Sequence, residues 1–317
     1  MTTYGFGGRL TPDFPSQVIV DATEVCNLAC IHCPHPEFKK SEHYGARYLD
    51  PALNSKLVAE VAQHGAQYIR YTSEGEPLIH PGIYDMLDEA VTHSGTFVTL
   101  TTNGTIMNEK RIHKLLKAGL HMIDISIDAR TADTYAKIRV NGDYNVTEAN
   151  VLQLISMAKG TVTKIIVSFV EQGFNQHETD DFENFWRDAG ASHVVVRRLH
   201  SAAGANKLVA IQMHGLQAKL PRRPCVYPWE RVSLTPRGYL AFCPADWTHG
   251  SSMVDYRDTT IKEWWDSPFY RKLRWAHVAN DFKDHKFCGQ CPDWAATRWP
   301  SEGRAYADLV AEMKGEQ

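Results

Sequence analysis

The sequence predicts an α/β fold in which parallel strands are covered by helices. Six apolar runs rich in β-branched residues alternate with helix-like segments between residues 17 and 200. This alternation requires right-handed crossovers and therefore a parallel sheet. Six strands are fewer than the eight of a closed α/β barrel, so the pattern leaves a doubly wound open sheet and a partial barrel as alternatives.

The predicted elements follow one another without a break. The strands are expected at residues 17 to 23, 68 to 73, 96 to 102, 121 to 128, 163 to 170 and 193 to 199. Helical spacing lies between them, at residues 50 to 65, 81 to 95, 108 to 119, 131 to 159 and 177 to 190. The first of these helices has a proline in its first turn and a glycine at its end, which are typical helix boundaries.

Beyond residue 200 the sequence changes character. A loop-rich stretch is followed by a predicted hairpin with Pro236 and Gly238 in its turn, and by a Trp-rich helical stretch near 260 to 277. The predicted divisions are an N-terminal extension, an α/β domain, a linker, a small domain and a C-terminal helix, at residues 1 to 16, 17 to 200, 201 to 224, 225 to 295 and 296 to 317. The core of the small domain is thin, and a metal site would stabilise it.

Composition narrows the function classes. The net charge is -3 and the basic residues are spread along the chain, so we expect neither a nucleic-acid partner nor binding to an anionic membrane. The sequence lacks a signal-like start and a long apolar run, which predicts a cytoplasmic protein with no membrane span. Thiols stay reduced in that compartment, so the seven cysteines are interpreted as metal ligands or redox centres.

Three of the cysteines follow the first predicted strand, with the spacing C-x3-C-x2-C: Cys26, Cys30 and Cys33. One interpretation adds His32 or His35 to make a zinc site with four ligands. The other is a 4Fe-4S cluster with one iron left open for a substrate or cofactor. The second interpretation also explains the polar stretches "SEGEP", "TTNG" and "SID" at the ends of the next three strands, where α/β folds bind ligands.

This cysteine spacing after a first strand resembles the radical S-adenosylmethionine superfamily. The resemblance implies a partial (β/α)6 TIM-like barrel and a 4Fe-4S cluster whose open iron binds S-adenosylmethionine. It also implies reductive cleavage to a 5'-deoxyadenosyl radical, which abstracts hydrogen from a substrate. The partners it implies are a small molecule and a one-electron donor such as flavodoxin or ferredoxin.

The same resemblance implies residues that contact S-adenosylmethionine. They are His32, Gly75, Glu76, Asn103, Ser126, Asp128 and Arg139. Glu74 departs from the family pattern, which often has glycine there. Taken singly, Asn103 also fits an ordinary turn, Asp128 a helix cap and Arg139 a surface charge.

The other four cysteines resemble a second family pattern. Their spacing is similar to that of the twitch domain, a shortened form of the SPASM iron-sulfur domain: Cys225, Cys243, Cys288 and Cys291. The resemblance implies one auxiliary 4Fe-4S cluster with four protein ligands. Because such a cluster has no open iron, its expected role is electron transfer.

The reaction is constrained by the cysteine count, since three plus four ligands use all seven. No cysteine remains to quench a substrate radical, which disfavours an epimerase. About 16 residues precede the first strand in this sequence, so we expect no N-terminal peptide-binding domain. The layout resembles twitch enzymes of the 2-deoxy-scyllo-inosamine dehydrogenase type and the GTP cyclase type of molybdopterin synthesis.

This layout favours oxidation of a secondary alcohol on a sugar, aminocyclitol or nucleoside. The alternatives are a redox-neutral reaction on a sugar nucleotide (decarboxylation, dehydration or carbon-carbon bond formation), modification of a peptide, and a zinc-stabilised binding protein that docks a partner through its Trp-rich region. For substrate contacts we consider Arg197, Arg198 and His200 at the end of the sixth strand, which also fit a solvated strand end.

Overall fold

The computed structural model describes residues 13–72, 74–217, 222–295 and 314–315. Within them the strands are β1 Gln17–Val20, β2 Tyr68–Tyr71, β3 Phe97–Thr102, β4 Met122–Ser126, β5 Lys164–Glu171, β6 His193–Arg198, β7 Arg231–Leu234, β8 Tyr239–Ala241 and β9 Ser252–Asp255. The α-helices are α1 His35–Phe38, α2 Pro51–His64, α3 Ile83–His93, α4 Glu109–Lys117, α5 Ala132–Ile138, α6 Tyr144–Ala158, α7 Thr179–Asp188, α8 Lys207–Gln217, α9 Tyr227–Glu230, α10 Ile261–Trp265, α11 Pro268–Ala279 and α12 Lys286–Gln290. Short 3-10 turns lie at Pro77–Ile79, Gln176–Glu178 and Asp293–Ala295.

The strand order decides between the two sheet architectures. β1 to β6 are parallel and lie side by side in the order of the chain. A doubly wound sheet would reverse its order at a switch point, and this sheet does not. The partial barrel of six βα units is therefore confirmed.

The C-terminal strands continue the same sheet. β7 pairs in parallel with the free edge of β1, and β8 and β9 follow in antiparallel order. The predicted hairpin is confirmed as β7 and β8. The sheet continues from the α/β region into the C-terminal strands. The division into separate domains stays a prediction. The helix predicted near 303 to 314 lies outside the described residues except for its end, and residues 1 to 12 of the predicted extension also lie outside them.

The two faces of the barrel strands carry different side chains. Val18, Val20, Ile123 and Ile125 belong to the large core that packs against the helices. The alternate positions face the barrel interior, where a small apolar cluster closes the end at which the strands begin: Tyr68, Phe97, Met122, Ile166 and Val195. Nearer the carboxyl ends of the strands, the interior positions become polar. The barrel therefore has an apolar base and a polar upper layer.

The helices follow the local signals in the sequence. Asp50 caps α2 by accepting a 2.9 Å hydrogen bond from the backbone N–H of Ala52, and Gly65 ends this helix with a φ of 78°. In the Trp-rich region Trp264 and Trp265 are buried, which agrees with a packing role. No described helix combines the length and the apolar character needed to cross a bilayer.

Candidate active site and auxiliary cluster site

The loop with the first three cysteines is fixed at the carboxyl end of the sheet. It follows β1 and runs beside the end of α5, where the N–H groups of Ala29 and Ile31 donate to the carbonyls of Val140 and Ile138 at 2.9 and 3.0 Å. Within the loop the N–H of Cys33 donates to the carbonyl of Cys30 at 3.1 Å. The backbone therefore holds the three thiols in one compact turn.

The thiols of this loop lie in a poorly solvated environment. Burial raises the pKa of Cys26 and of Cys33 to about 12, and it also raises the pKa of Cys30. Neutral thiols are weak ligands, so these side chains need a cationic centre to become thiolates. An iron-sulfur cluster supplies that charge and fits a set of three cysteines.

The geometry does not favour zinc at this loop. A zinc ion with Zn–S bonds of about 2.3 Å holds its thiolates roughly 3.8 Å apart. Among the described residues, no three cysteine sulfurs lie within 4.8 Å of one another. The Nε2 of His35 is occupied as well, since it donates to the carbonyl of Glu24 at 2.8 Å. This nitrogen of His35 is therefore not available as the fourth ligand that a zinc site would need.

Asp128 and Arg139 form an ion pair beside the cysteines. The Nη2 of Arg139 lies 2.6 Å from Oδ2 of Asp128, and its Nη1 lies 3.7 Å from the sulfur of Cys30. Asp128 has a φ of 64° and accepts from the N–H of Val170 at 2.7 Å. The roles implied by the resemblance, ribose contact for Asp128 and carboxylate contact for Arg139, stay predictions. In this structure the two residues neutralise each other.

His32 lies at the same place. Its Nε2 is 3.5 Å from Oδ2 of Asp128, and its carbonyl accepts from Asn206 at 3.4 Å. Burial lowers the pKa of His32 to about 4, so the imidazole is neutral at neutral pH. The resemblance implies that the backbone of His32, rather than its ring, contacts adenine, and this contact stays a prediction.

Glu76 ties three loops together. Its buried carboxylate accepts from the hydroxyl of Thr102 at 2.6 Å, from the N–H of Asn103 at 2.8 Å and from the N–H of Leu78 at 3.1 Å. The side chain of Asn103 in turn donates to Asn27 at 3.0 Å. Glu76 thus positions the loop after β3, and its implied contact with S-adenosylmethionine stays a prediction. Ser126 is the last residue of β4 and is half-buried on the interior face.

Gly75 allows the loop after β2 to approach the cysteine loop. A Cβ at this position would lie 2.4 Å from the carbonyl oxygens of both Thr23 and Val25. The next residue donates its N–H to the same Val25 carbonyl at 2.9 Å. Only glycine fits this contact, which is the close approach expected of a loop that cradles a cofactor.

Glu74, the departure from the family pattern, connects the barrel to the C-terminal region. Its Oε1 accepts from Nε2 of His249 at 3.2 Å, and Nδ1 of His249 accepts from Nη1 of Arg237 at 2.8 Å. Arginine can only donate, so the imidazole proton is on Nε2. The carboxylate of Glu24 lies within 4.8 Å of Glu74 and His249. Its oxygens, however, accept hydrogen bonds from the side chain of Arg47 and from backbone N–H groups.

The other four cysteines line one cavity. Its volume is about 40 Å³, which exceeds the roughly 10 to 15 Å³ that a single water needs. The remaining walls include the aromatic rings of Tyr227, Phe242, Phe287 and Trp294. Burial raises the pKa of Cys291 to about 12 and raises those of Cys243 and Cys288. The lining fits a metal cluster held by four thiolates: Cys225, Cys243, Cys288 and Cys291.

The three candidate substrate residues are not brought together. Arg197 points into the barrel and contacts Asp124 at 2.5 Å, whereas the next residue, Arg198, is exposed on the other face of β6. His200 lies beyond the strand and accepts from the N–H of Ala202 at 3.1 Å. Sequence reasoning missed two further interior charges, Arg70 and Asp124. Their signal was present as single charged residues inside the apolar strands "YIRY" and "MIDIS".

Comparison with protein families identifies the class of the chain. Residues 20–184 match the radical SAM superfamily, so the chain belongs to this superfamily. Residues 225–292 match an iron-sulfur cluster-binding domain, SPASM. S-adenosylmethionine and iron-sulfur clusters, including an auxiliary cluster, are therefore its cofactors.

Curated relatives match part of the chain. A GTP 3',8-cyclase of Desulforamulus reducens is 28% identical over 209 residues, which is 63% of this chain and 62% of the relative. A GTP 3',8-cyclase of Clostridium botulinum (strain Hall) is 30% identical over 167 residues, or 52% and 50% of the two chains. The match thus spans about half to three fifths of these relatives.

Solved structures share the fold at low identity. BtrN in complex with AdoMet and 2-DOIA has a TM-score of 0.58 and 16% identity, covering 87% of this chain and 92% of BtrN. Streptococcus suis SuiB bound to the precursor peptide SuiA has a TM-score of 0.67 and 13% identity, covering 97% and 75%. These likenesses confirm the α/β barrel fold of the chain.

Proposed function

We propose that this radical SAM enzyme oxidises a secondary alcohol of a small polar substrate, such as a sugar, aminocyclitol or nucleoside. The observation that carries the proposal is the cavity lined by four cysteines. A cluster with four thiolate ligands has no vacant iron for a substrate, so its suitable task is to accept an electron. An electron acceptor in the same chain favours an oxidation over a redox-neutral rearrangement.

Each cysteine set receives a separate role in this proposal. Cys26, Cys30 and Cys33 would hold the cluster that binds S-adenosylmethionine, and residues at the carboxyl ends of the strands would contact the cofactor. Residues 225 to 295 form the auxiliary region. Arg139 would stay paired with Asp128 while it also meets the carboxylate of the cofactor, since a guanidinium group can engage two carboxylates at once.

The electron balance of the proposed oxidation is simple. The substrate carbon loses one hydrogen atom, and the resulting ketyl radical then loses one proton from oxygen and one electron. When bound, S-adenosylmethionine would accept the hydrogen atom as 5'-deoxyadenosine and release methionine, and a cluster held by Cys225, Cys243, Cys288 and Cys291 would accept the electron. The first cluster requires one electron from flavodoxin or ferredoxin to begin each turnover.

A second candidate is a redox-neutral reaction on a nucleotide. It is favoured by the curated relatives, which are named GTP 3',8-cyclases. The two candidates differ in the oxidation state of the product. They also differ in whether the auxiliary cluster changes its redox state during turnover.

The test counts electrons. Substrates deuterated at carbinol carbons are screened with the anaerobic, reconstituted enzyme for transfer of deuterium into 5'-deoxyadenosine. For a substrate that transfers deuterium, we expect one S-adenosylmethionine consumed per product and a product two electrons more oxidised. A redox-neutral product would overturn the dehydrogenase and favour the second candidate. Cys243→Ser is the matched variant, which should still cleave S-adenosylmethionine but form no ketone.

A further inference from the structure

We propose that Arg70 and Arg197 form an anion-binding floor in the barrel, which anchors a substrate carrying a phosphate or carboxylate group. The inference rests on the proposed function, because it assigns a substrate class to the same enzyme. The sequence assigns no role to Arg70. It indicates Arg197 only as one of three candidate substrate contacts.

The position of these residues places them below the cofactor site. Arg70 lies on β2, Asp124 on β4 and Arg197 on β6, all on the interior face of the sheet. The apolar cluster of Tyr68, Phe97, Met122, Ile166 and Val195 closes the barrel beneath them. The cysteine loop and the loops after β2 and β3 lie above, at the carboxyl ends. A group that enters from the rim therefore meets this layer before the apolar base.

Hydrogen bonds fix both guanidinium groups in advance. Asp124 accepts from Nη2 of Arg197 at 2.5 Å and lies 3.5 Å from Nη2 of Arg70. Thr101 accepts from Arg70 at 2.9 and 3.1 Å. Ser168 accepts from Arg197 at 3.1 and 3.2 Å, and its own hydroxyl donates to Asp124. Little side-chain entropy remains to be lost when a ligand binds.

Exposure decides which charge a ligand meets. The side chains of Arg70 and Arg197 retain 20% and 27% of their exposure, whereas the side chain of Asp124 retains 1%. Asp21 and Asp128, two further carboxylates at this end of the barrel, are 3% and 0% exposed. The carboxylates are thus less exposed than the guanidinium groups, so the accessible charge of the layer is positive.

The chemistry of arginine indicates which class of ligand this layer would bind. A guanidinium group presents parallel N–H donors that match the oxygens of a phosphate or a carboxylate. Two such groups held on opposite sides of the barrel would repel a cationic amine. Within the proposed substrate classes, the layer therefore favours a phosphorylated or carboxylated sugar, or a nucleotide, over an aminocyclitol.

The chain supplies a matched control for the test. Arg198 follows Arg197 in β6 and has the same charge, but it is exposed on the other face of the strand. A general effect of net charge would therefore be the same for Arg197→Gln and Arg198→Gln. Only an effect of the interior layer distinguishes the two variants.

The experiment measures binding without turnover. The anaerobic holoenzyme, with S-adenosylmethionine and without reductant, is titrated calorimetrically with glucose, glucuronate and glucose 1-phosphate. We expect at least one of the two anions to bind about tenfold or more tightly than glucose. Arg197→Gln and Arg70→Gln should each remove this preference, whereas Arg198→Gln should keep it. Comparison of the two anions separates a phosphate from a carboxylate preference.

Each result decides the inference. Equal binding of all three sugars, or an equal loss in Arg197→Gln and Arg198→Gln, would overturn it. Arg197→Lys keeps the charge on Asp124 paired, so it tests the floor even if the glutamine variant folds poorly. It should lose most of the anion preference because lysine lacks the planar fork. Binding does not depend on the reaction, so a redox-neutral product overturns the dehydrogenase without affecting this result.

Discussion

The two cysteine sets of this chain lie in different surroundings. Cys26, Cys30 and Cys33 belong to one short loop whose neighbours are polar and charged, including the Asp128 and Arg139 pair. The other four cysteines come from three separate stretches of chain and line a cavity with aromatic walls. A three-ligand site among polar groups is suited to hold a cofactor, whereas a closed four-ligand site is suited to transfer electrons. The number of protein ligands and the surroundings of a cluster together distinguish a site that binds a reactive cofactor from a site that transfers electrons.

The largest effect is expected from a substitution that removes a ligand of the first cysteine site. Cys30→Ala removes one of three ligands, and we expect the formation of 5'-deoxyadenosine to fall by about 1,000-fold or more. Iron should fall from about 8 to about 4 per chain, since the auxiliary cluster remains. Liquid chromatography of the reaction mixture and iron analysis measure the two quantities. Cleavage at the normal rate would show that the loop does not hold the catalytic cluster.

A change at the second site should affect different measurements. In Cys288→Ala iron again falls by about 4 per chain, but 5'-deoxyadenosine still forms because the first loop is intact. Ketone formation should be lost, and the melting temperature of the protein should decrease because the thin C-terminal core loses its cluster. Loss of S-adenosylmethionine cleavage in this variant would mean that the two sites do not act separately.

A smaller effect is expected at the contact between the two loops of the first site. Gly75→Ala places a methyl group 2.4 Å from the carbonyls of Thr23 and Val25, so the loop must shift. We expect a loss of about 1 to 3 kcal/mol in stability and weaker binding of S-adenosylmethionine. Gly173→Ala is the control, because nothing lies within 4 Å of its Cβ. Similar melting temperatures and cofactor affinities in the two variants would contradict the close approach.

The smallest expected effect concerns the contact between the two regions. Glu74→Gln keeps the shape of the side chain but weakens the bond from His249, which we expect to cost about 1 to 2 kcal/mol. A double-mutant cycle with His249→Gln, followed by chemical denaturation under anaerobic conditions, measures the coupling. Both cofactor sites should keep their iron. Additive effects of the two substitutions would show that this contact does not couple the regions.

Much of this organisation could be predicted from short stretches of sequence. The strands and helices were predicted because their apolar spacing and boundary residues are local signals. The cysteine spacing and the strand-end stretches indicated a site at the carboxyl ends of the strands. The partners of Glu74 could not be predicted, since His249 lies 175 positions away in the chain.

The sequence by itself determined the alternation of strands and helices, the two cysteine sets and the superfamily. These features depend on spacing along the chain, and spacing is readable without a structure. The tertiary structure decided the barrel order, the continuation of the sheet from β1 into β7, and the cavity that gathers Cys225, Cys243, Cys288 and Cys291. It also decided that Arg197 faces Asp124 while Arg198 faces outward, because side chains on a strand alternate and only the sheet shows which face is interior.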